Sequence, residues 1–201
     1  MTERPLTLTE RRKAETQIVV ARAAARLFAE RGSQDVTTEE VAEAGGVAVR
    51  TFYRYFRSKA DAVAPLLAVG ADEWRARISG MPADLPVRDA LERAIRETLS
   101  PPARDESLGL VRGVLRAAGD DPDLAAVWYR VNGESERMLF PLLRERDTDA
   151  ADLSLRILAA AATSAIRIAF EVWAATDEPD APHDDALRIF RALSAHAPDA
   201  V

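Results

Sequence analysis

Apolar residues along this chain recur every three to four positions, which is the period of an α-helix. The clearest stripe has apolar residues at positions 87, 90, 91, 94, 95 and 99. Glycine, proline and capping residues separate the periodic stretches. The pattern predicts nine helices, at about 9–31, 38–44, 47–56, 59–79, 87–99, 105–118, 122–146, 151–176 and 182–195. The chain is therefore predicted to be all-α.

Several helix ends are predicted from single residues. Ser58 can cap the fourth helix, and the pair at 101–102, both proline, stops the fifth. Thr148 or Asp149 is expected to cap the eighth. Pro141 should kink or break the seventh, because proline lacks the N–H that an interior helical position donates.

Two short helices around a glycine pair are predicted early in the chain. Thr37 and Glu40 have the spacing of a capping box, which predicts a helix that starts at Thr38. Gly45 and Gly46 then supply the permissive backbone geometry needed to end it. The turn between the two helices is consequently expected to be tight.

The second of these helices has two different faces. Phe52 and Phe56 stand four residues apart on one side, which we assign to the core, while the other side is polar, cationic and aromatic. A helix of about seven residues is only some 10 Å long, and the DNA major groove is roughly 12 Å wide. The stretch therefore predicts a DNA-reading helix-turn-helix.

Four elements in this order resemble the DNA-binding domain of the TetR family of bacterial transcriptional regulators. They fall within about residues 12–67 and read ARLFAERG (25–32), TTEEVAEAGGV (37–47), TFYRYF (51–56) and SKAD (58–61). The chain departs from the family pattern at Ala48, where many members have a capping serine, and at Arg50, where many have glycine. An arginine there can read a guanine edge bidentately, so the operator preference cannot be taken from relatives.

The resemblance implies a nine-helix fold in which residues 1–58 form a three-helix head and residues 59–201 form an effector-binding and dimerisation domain. It also implies a ligand-responsive repressor that binds double-stranded DNA at a palindromic operator. The repressor would be a homodimer through the last two helices, and a small molecule would release it from DNA. The alternative is an architectural or division-related DNA-binding protein without an effector.

Candidate DNA-binding residues follow from the match to the family pattern. Tyr53 would lie against a phosphate or a base, and the alternative is a core tyrosine beside Phe52. Lys59 opens the fourth helix, where its ammonium and the helix dipole can bind a phosphate; otherwise it is a solvated lysine. The predicted set is Thr37, Val49, Arg50, Thr51, Tyr53, Tyr55 and Lys59.

The charge distribution agrees with a head that faces DNA. The chain has a net charge of −6, but its first 60 residues hold 11 Lys and Arg against 8 Asp and Glu. The remainder is therefore strongly acidic. Such a division orients the basic end toward phosphate and repels DNA elsewhere, unless the asymmetry is random variation.

The resemblance implies a small effector, which we expect to be apolar or amphipathic. Large apolar side chains with an arginine at the mouth are the candidates for its cavity, and plain core and interface packing is the alternative for each. The predicted set is Trp74, Arg112, Trp128, Phe140, Phe170 and Trp173.

The sequence carries no sign of catalysis or of a cofactor. Cysteine is absent, which excludes a disulfide, a thiol nucleophile and a cysteine-based metal site. No catalytic-triad order, phosphate-binding loop or metal-ligand spacing occurs. The two histidines, His183 and His196, are separated from each other and lie near predicted exposed ends, which argues against a metal site or a general base. The charged N-terminus does not resemble a signal peptide, so we expect a cytoplasmic protein. Arg156 and Arg167 in the apolar eighth helix argue against a membrane span.

Overall fold

The computed structural model describes residues 7–99, 106–177 and 182–195, and every regular element within these ranges is a helix. This confirms the predicted all-α fold. The α-helices are α1 Leu8–Arg31, α2 Thr38–Ala44, α3 Val49–Tyr55, α4 Ala64–Ser79, α5 Val87–Leu99, α6 Glu106–Ala118, α7 Pro122–Arg146, α8 Asp152–Ala175 and α9 His183–Ser194. A short 3₁₀ helix, Ala60–Val63, precedes α4. The predicted proline stop at 101–102, the N-terminal residues 1–6 and His196 lie outside the described residues.

The fourth helix differs from its prediction because of one proline. We predicted a single helix over 59–79, but α4 begins only at Ala64, and Pro65 occupies its first turn. Proline is favoured in a first turn and disfavoured further inside a helix, so it separates the 3₁₀ segment from α4. The Ser58 hydroxyl accepts from the Asp61 amide at 3.1 Å and so supports the first turn of the 3₁₀ segment, but the N-cap residues are Lys59 for that segment and Val63 for α4, so Ser58 does not cap α4 as predicted.

Helix α7 continues through Pro141, so the predicted break does not occur. Its neighbours Leu139 and Leu143 are fully buried and hold this part of the helix against the core. Pro141 itself is exposed, where water can satisfy the carbonyl that proline leaves unpaired. Tertiary packing therefore outweighs the local helix-breaking tendency.

The start of α8 was predicted wrongly. Neither Thr148 nor Asp149 caps it: the N-cap residue is Ala151, which makes no side-chain capping bond. Asp147 instead accepts from the amides of Asp149 and Ala150, at 3.2 and 3.0 Å. This turn orders the connection from α7, and burial rather than capping stabilises α8.

By length and composition α8 is apolar enough to cross a membrane. Of its most apolar 18-residue stretch, however, 56% is buried inside the fold. The helix packs against α7 on one side and α9 on another. A helix that is buried on several sides inside a helical domain is as apolar as a helix that crosses a membrane. The burial of α8 therefore accounts for its composition.

The head formed by α1, α2 and α3 packs directly on the rest of the chain. Helix α1 contacts α6 and α4 as well as α2, and one hydrophobic cluster runs from the head into the body. Gly113 of α6 lies so close to α1 that a Cβ atom there would be 2.4 Å from the Cβ of Ala29. The domain boundary at 58/59 stays a prediction, since this cluster is continuous across it.

Candidate nucleic-acid interface and ligand cavity

The start of α2 is fixed by a reciprocal cap and an ion pair. The Thr37 hydroxyl accepts from the Glu40 amide at 3.2 Å, and the Glu40 carboxylate accepts from the Thr37 amide at 2.7 Å. Arg31, at the end of α1, donates to the same carboxylate at 2.9 Å. The Thr37 amide first, and Arg31 next, lower the pKa of Glu40 to about 2. The cap therefore contributes fully above the usual glutamate pKa and is lost only as the pH falls toward 2.

The two glycines of the turn have different tasks. Gly46 has a φ of +68°, a conformation that residues with a side chain rarely adopt. Gly45 has an ordinary φ, but a Cβ atom there would lie 2.7 Å from Cγ2 of Val20 and 3.1 Å from its Cα. Gly45 thus permits the close approach of the turn to α1, and Gly46 redirects the chain into α3.

Helix α3 buries one face and exposes the other. Phe52 and Phe56 are buried, as predicted, with ring centroids 5.1 Å apart. Tyr53 is 57% exposed, and its ring meets Phe52 only edge-on at 5.5 Å. The exposure argues against a core tyrosine. Arg50 is exposed on the same helix, so a bulky cation and an aromatic hydroxyl both project from the head.

The other predicted DNA-binding residues flank this exposed face. Thr37 is exposed, Thr51 and Tyr55 are partly buried, and Val49 packs partly against the core. The guanidinium of Arg54 lies 4.9 Å from the centre of the Tyr55 ring, and the ammonium of Lys13 lies 5.8 Å from it. The sequence reasoning did not single out Lys13, because only the folded structure brings its ammonium near Tyr55. DNA contact by any of these residues stays a prediction.

Lys59 is partly buried and holds a loop of the head. Its ammonium donates to the carbonyls of Ser33 and Val36, at 2.7 and 2.9 Å. Two of its three donors are therefore used within the α1–α2 loop. It does not open a long helix as predicted but precedes the 3₁₀ segment. A phosphate contact by the third donor stays a prediction.

The same loop is bonded to the start of α7. The buried Ser33 hydroxyl donates to the carboxylate of Asp121, which also accepts from the Gln34 side chain at 3.2 Å and from the Asp123 amide at 2.8 Å. Burial raises the pKa of Asp121, but the Ser33 and backbone hydrogen bonds together with the Lys59 charge outweigh it and lower the pKa. Asp121 therefore stays ionised and joins the head to the body.

A cavity of about 230 Å³ lies between α1, α4, α5, α6, α7 and α8. Three of the six predicted ligand residues line it: Trp74, Trp128 and Phe170. The rings of Trp128 and Phe170 are 6.3 Å apart in an edge-to-face arrangement. Ile18 and Arg22 of α1 also line the cavity, so a bound molecule would touch the head directly.

The other three predicted ligand residues lie away from this cavity. The guanidinium of Arg112 stacks 4.5 Å from the centre of the Trp173 ring and donates to the carbonyls of Trp173 and Thr176. Arg112 therefore binds carbonyls at the C-terminal end of α8 and stacks on Trp173 there, instead of lining the cavity. Phe140 is covered instead by the guanidinium of Arg156, 4.1 Å from its ring centre.

Among the cavity residues that the sequence reasoning missed are two threonines, Thr98 of α5 and Thr163 of α8. The hydroxyl oxygen of each is buried and has no hydrogen-bond partner among the described residues. The available signal was a threonine interrupting the run of alanines at 159–162. Periodicity alone could not show that the face of α8 carrying Thr163 lines a cavity.

Comparisons with known proteins agree on one family. The family model described as "Bacterial regulatory proteins, tetR family" matches residues 21–64, which hold the end of α1, both helices of the turn motif and the 3₁₀ segment. The HTH-type transcriptional regulator TcmR of Streptomyces glaucescens is 32% identical over 146 residues, covering 70% of this chain. The chain spans 64% of the length of that curated relative.

Solved structures with lower identity share the fold. The fatty acid degradation regulator FadR of Bacillus halodurans is 20% identical with a TM-score of 0.60, covering 91% of this chain and 96% of its own. AlkX of a Dietzia species, a TetR family repressor, is 22% identical with a TM-score of 0.59, covering 92% and 96%. FadR of Thermus thermophilus in complex with lauroyl-CoA is 23% identical with a TM-score of 0.56, covering 88% and 92%.

Proposed function

The chain belongs to the TetR family of bacterial regulatory proteins, and from this premise we propose that it is a transcriptional repressor that a small molecule releases from DNA. The observation that carries the proposal is the surface of α3. Arg50 and Tyr53 project from it, while Phe52 and Phe56 anchor its other side in the head. A short, rigidly supported helix with exposed donors is suited to the major groove.

A homodimer through α8 and α9 is the proposed assembly. An incompletely buried stripe runs along one side of α8 at spacings of three and four residues: Leu153, Ile157, Ala160, Ser164, Ile168 and Val172. Leu153 is 66% exposed and Val172 49% exposed, and Leu193 of α9 is 46% exposed. Two copies of the stripe could bury each other in an isologous interface, which suits a palindromic operator.

Ligand control follows from the position of the cavity. Its walls include α1 of the head and α4, which connects the head to the body. A molecule that displaces α4 would change the spacing between the two heads of a dimer. Coupling free energies of about 1 to 3 kcal/mol are typical, and they would weaken DNA binding by about 5 to 150 fold. The cavity supports this mechanism over an architectural role without an effector.

The proposal also covers catalysis, metal binding and location. The relatives are transcriptional regulators, so we assign no catalytic role. No group of three or more His, Cys, Asp or Glu that could hold a metal occurs in the described part of the chain. A regulator that binds chromosomal DNA would act in the cytoplasm.

The test is selection of binding sites from fragmented genomic DNA by the purified protein. We expect a palindromic sequence with half-sites one helical turn, or a multiple of it, apart. Neighbouring genes would then identify the regulated functions. Recovery of fragments without a shared sequence would contradict the proposed operator-binding role.

A further inference from the structure

The cavity has almost no net charge. Arg22 and Glu73 are its only charged lining residues within the described chain; both are exposed and their charges are opposite. The buried Arg75 nearby is already neutralised by Asp72 and donates to the Ser135 hydroxyl at 3.3 Å. A bound anion would find no buried, unpaired cation in these walls. Burying an ionised group without such a partner is strongly unfavourable.

The Thr163 hydroxyl is the polar group of the cavity wall that most clearly lacks a hydrogen-bond partner in the described part of the chain. Thr163 is only 5% exposed and lines the cavity, yet its oxygen has no hydrogen-bond partner among the described residues. A helical threonine can bond to the carbonyl four residues earlier, as Thr16 does to Arg12 at 2.9 Å. Thr163 makes no such bond. A buried, unpaired hydroxyl costs free energy and calls for an explanation.

Thr98, on another helix, also has a buried hydroxyl without a hydrogen-bond partner in the described residues. It lines the same cavity from α5. Other polar groups in the walls are already engaged: Asn132 donates to the Trp128 carbonyl at 2.8 Å. The apolar and aromatic remainder of the wall is formed by Trp74, Trp128, Phe170 and aliphatic side chains.

Together these features define a ligand class. We propose that the effector is an uncharged, mainly apolar molecule whose hydroxyl or carbonyl oxygen bonds to the hydroxyl of Thr163, with Thr98 as a second polar anchor. The inference rests on the proposed ligand-responsive function and adds the chemistry of its ligand. It excludes free carboxylates and acyl-CoA esters, whose negative charges would find no basic cluster in the described walls.

The first experiment measures ligand binding to the DNA-free protein by isothermal titration calorimetry. Each of two apolar scaffolds is tested with a neutral hydroxyl and with a carboxylate. The pairs are 2-naphthol and 2-naphthoate, and 1-decanol and decanoate. Lauroyl-CoA serves as the acyl-CoA. For at least one scaffold we expect the neutral compound to bind at least tenfold more tightly than its carboxylate and than lauroyl-CoA. Tightest binding of a carboxylate or of lauroyl-CoA, or no binding by any compound, would overturn the proposed class.

The second experiment tests the hydroxyl itself. Thr163→Val removes the hydroxyl at nearly constant shape, and Thr163→Ser is the matched control that retains it. For the preferred neutral compound we expect about five- to tenfold weaker binding to Thr163→Val, the effect of one hydrogen bond. Naphthalene should bind to wild type and Thr163→Val equally. The serine variant should keep the affinity for the neutral compound. Equal affinity of wild type and Thr163→Val for that compound would overturn the role of Thr163.

The failure of this inference can be separated from failure of the proposed function. Calorimetry requires no DNA, whereas operator binding is measured by fluorescence anisotropy without ligand. Specific operator binding combined with a preference for charged ligands would leave the regulator intact and reject the ligand class. Neutral-ligand binding without any specific DNA site would reject the regulator and keep the cavity chemistry.

Discussion

At the scale of single residues, Lys59 has one structural role that is observed and one DNA-binding role that is predicted. Its ammonium bonds to the carbonyls of Ser33 and Val36, so it holds the loop between α1 and α2. An ammonium has three donors, and the predicted phosphate contact would use the third. The structural and DNA-binding roles therefore make separable predictions.

Replacing Lys59 by alanine should lower both the thermal stability and the affinity for all DNA sequences. The loss of one phosphate contact reduces the slope of log affinity against log salt by about one unit. Anisotropy titrations at several salt concentrations measure this slope, and thermal denaturation measures the stability. A destabilised variant with an unchanged slope would show that Lys59 serves the loop alone.

Arg50→Ala should relax base preference at one position in each half-site, because a bidentate arginine–guanine contact discriminates by about 1–3 kcal/mol. Arg57→Ala is the matched control, since Arg57 is also exposed but lies beyond α3. The measurement is the affinity for the operator and for all its single-base variants. Equal loss on operator and scrambled DNA would assign Arg50 to the phosphate backbone.

At the scale of elements, local signals predicted helix ends well where they are complete. The Thr37–Glu40 cap and the glycine pair gave the bounds of α2, and the apolar stripe of α5 gave Val87–Leu99. Prediction failed where tertiary packing decides: α7 passes through Pro141 and α8 starts without a side-chain cap. In the same way, both Trp128 and Phe140 are large aromatic residues of α7, and hydrophobicity predicted both as cavity residues. Only the folded structure shows that Trp128 lines the cavity and Phe140 does not.

The contact between the turn and α1 gives a prediction at this scale. Gly45→Ala would force a methyl group against Val20 and should destabilise the protein by about 1–3 kcal/mol, as overpacking does. Gly133→Ala in α7 is the control: nothing lies within 4 Å of its added Cβ. It should stabilise by up to about 1 kcal/mol through helix propensity. Urea denaturation measures both, and a Gly45→Ala variant as stable as wild type would contradict the close contact.

At the scale of the whole molecule, the head and body are joined at several points around the cavity. Arg26 of α1 pairs with Glu106 of α6 at 2.5 Å, and Ser33 bonds to Asp121, while Arg130 of α7 pairs at 2.5 Å with Asp61 of the 3₁₀ segment that follows the head. Movement of α6 or of the start of α7 can thus be passed to the head through Arg26 and Ser33. Helices α1 and α4 also line the cavity and contact each other, so a ligand in the cavity lies against the junction of head and body.

The proposed dimer is tested by Val172→Glu. The substitution would bury a carboxylate from each copy in the proposed apolar interface, which is unfavourable unless the charge is paired. We expect the dimer dissociation constant to rise at least tenfold, measured by analytical ultracentrifugation. Val19→Glu, an exposed valine on α1, should leave dimerisation unchanged. A monomeric wild type, or a dimer indifferent to Val172→Glu, would rule out this face.

The central claim is that the exposed surface of α3 reads a specific DNA sequence. Its most direct test is the ratio of dissociation constants for the selected operator and a scrambled duplex, measured by fluorescence anisotropy at physiological salt. We expect the operator to bind at least about 10³-fold more tightly, the lower range for specific regulators. A ratio near one, with equal salt dependence for both duplexes, would contradict sequence reading by this surface.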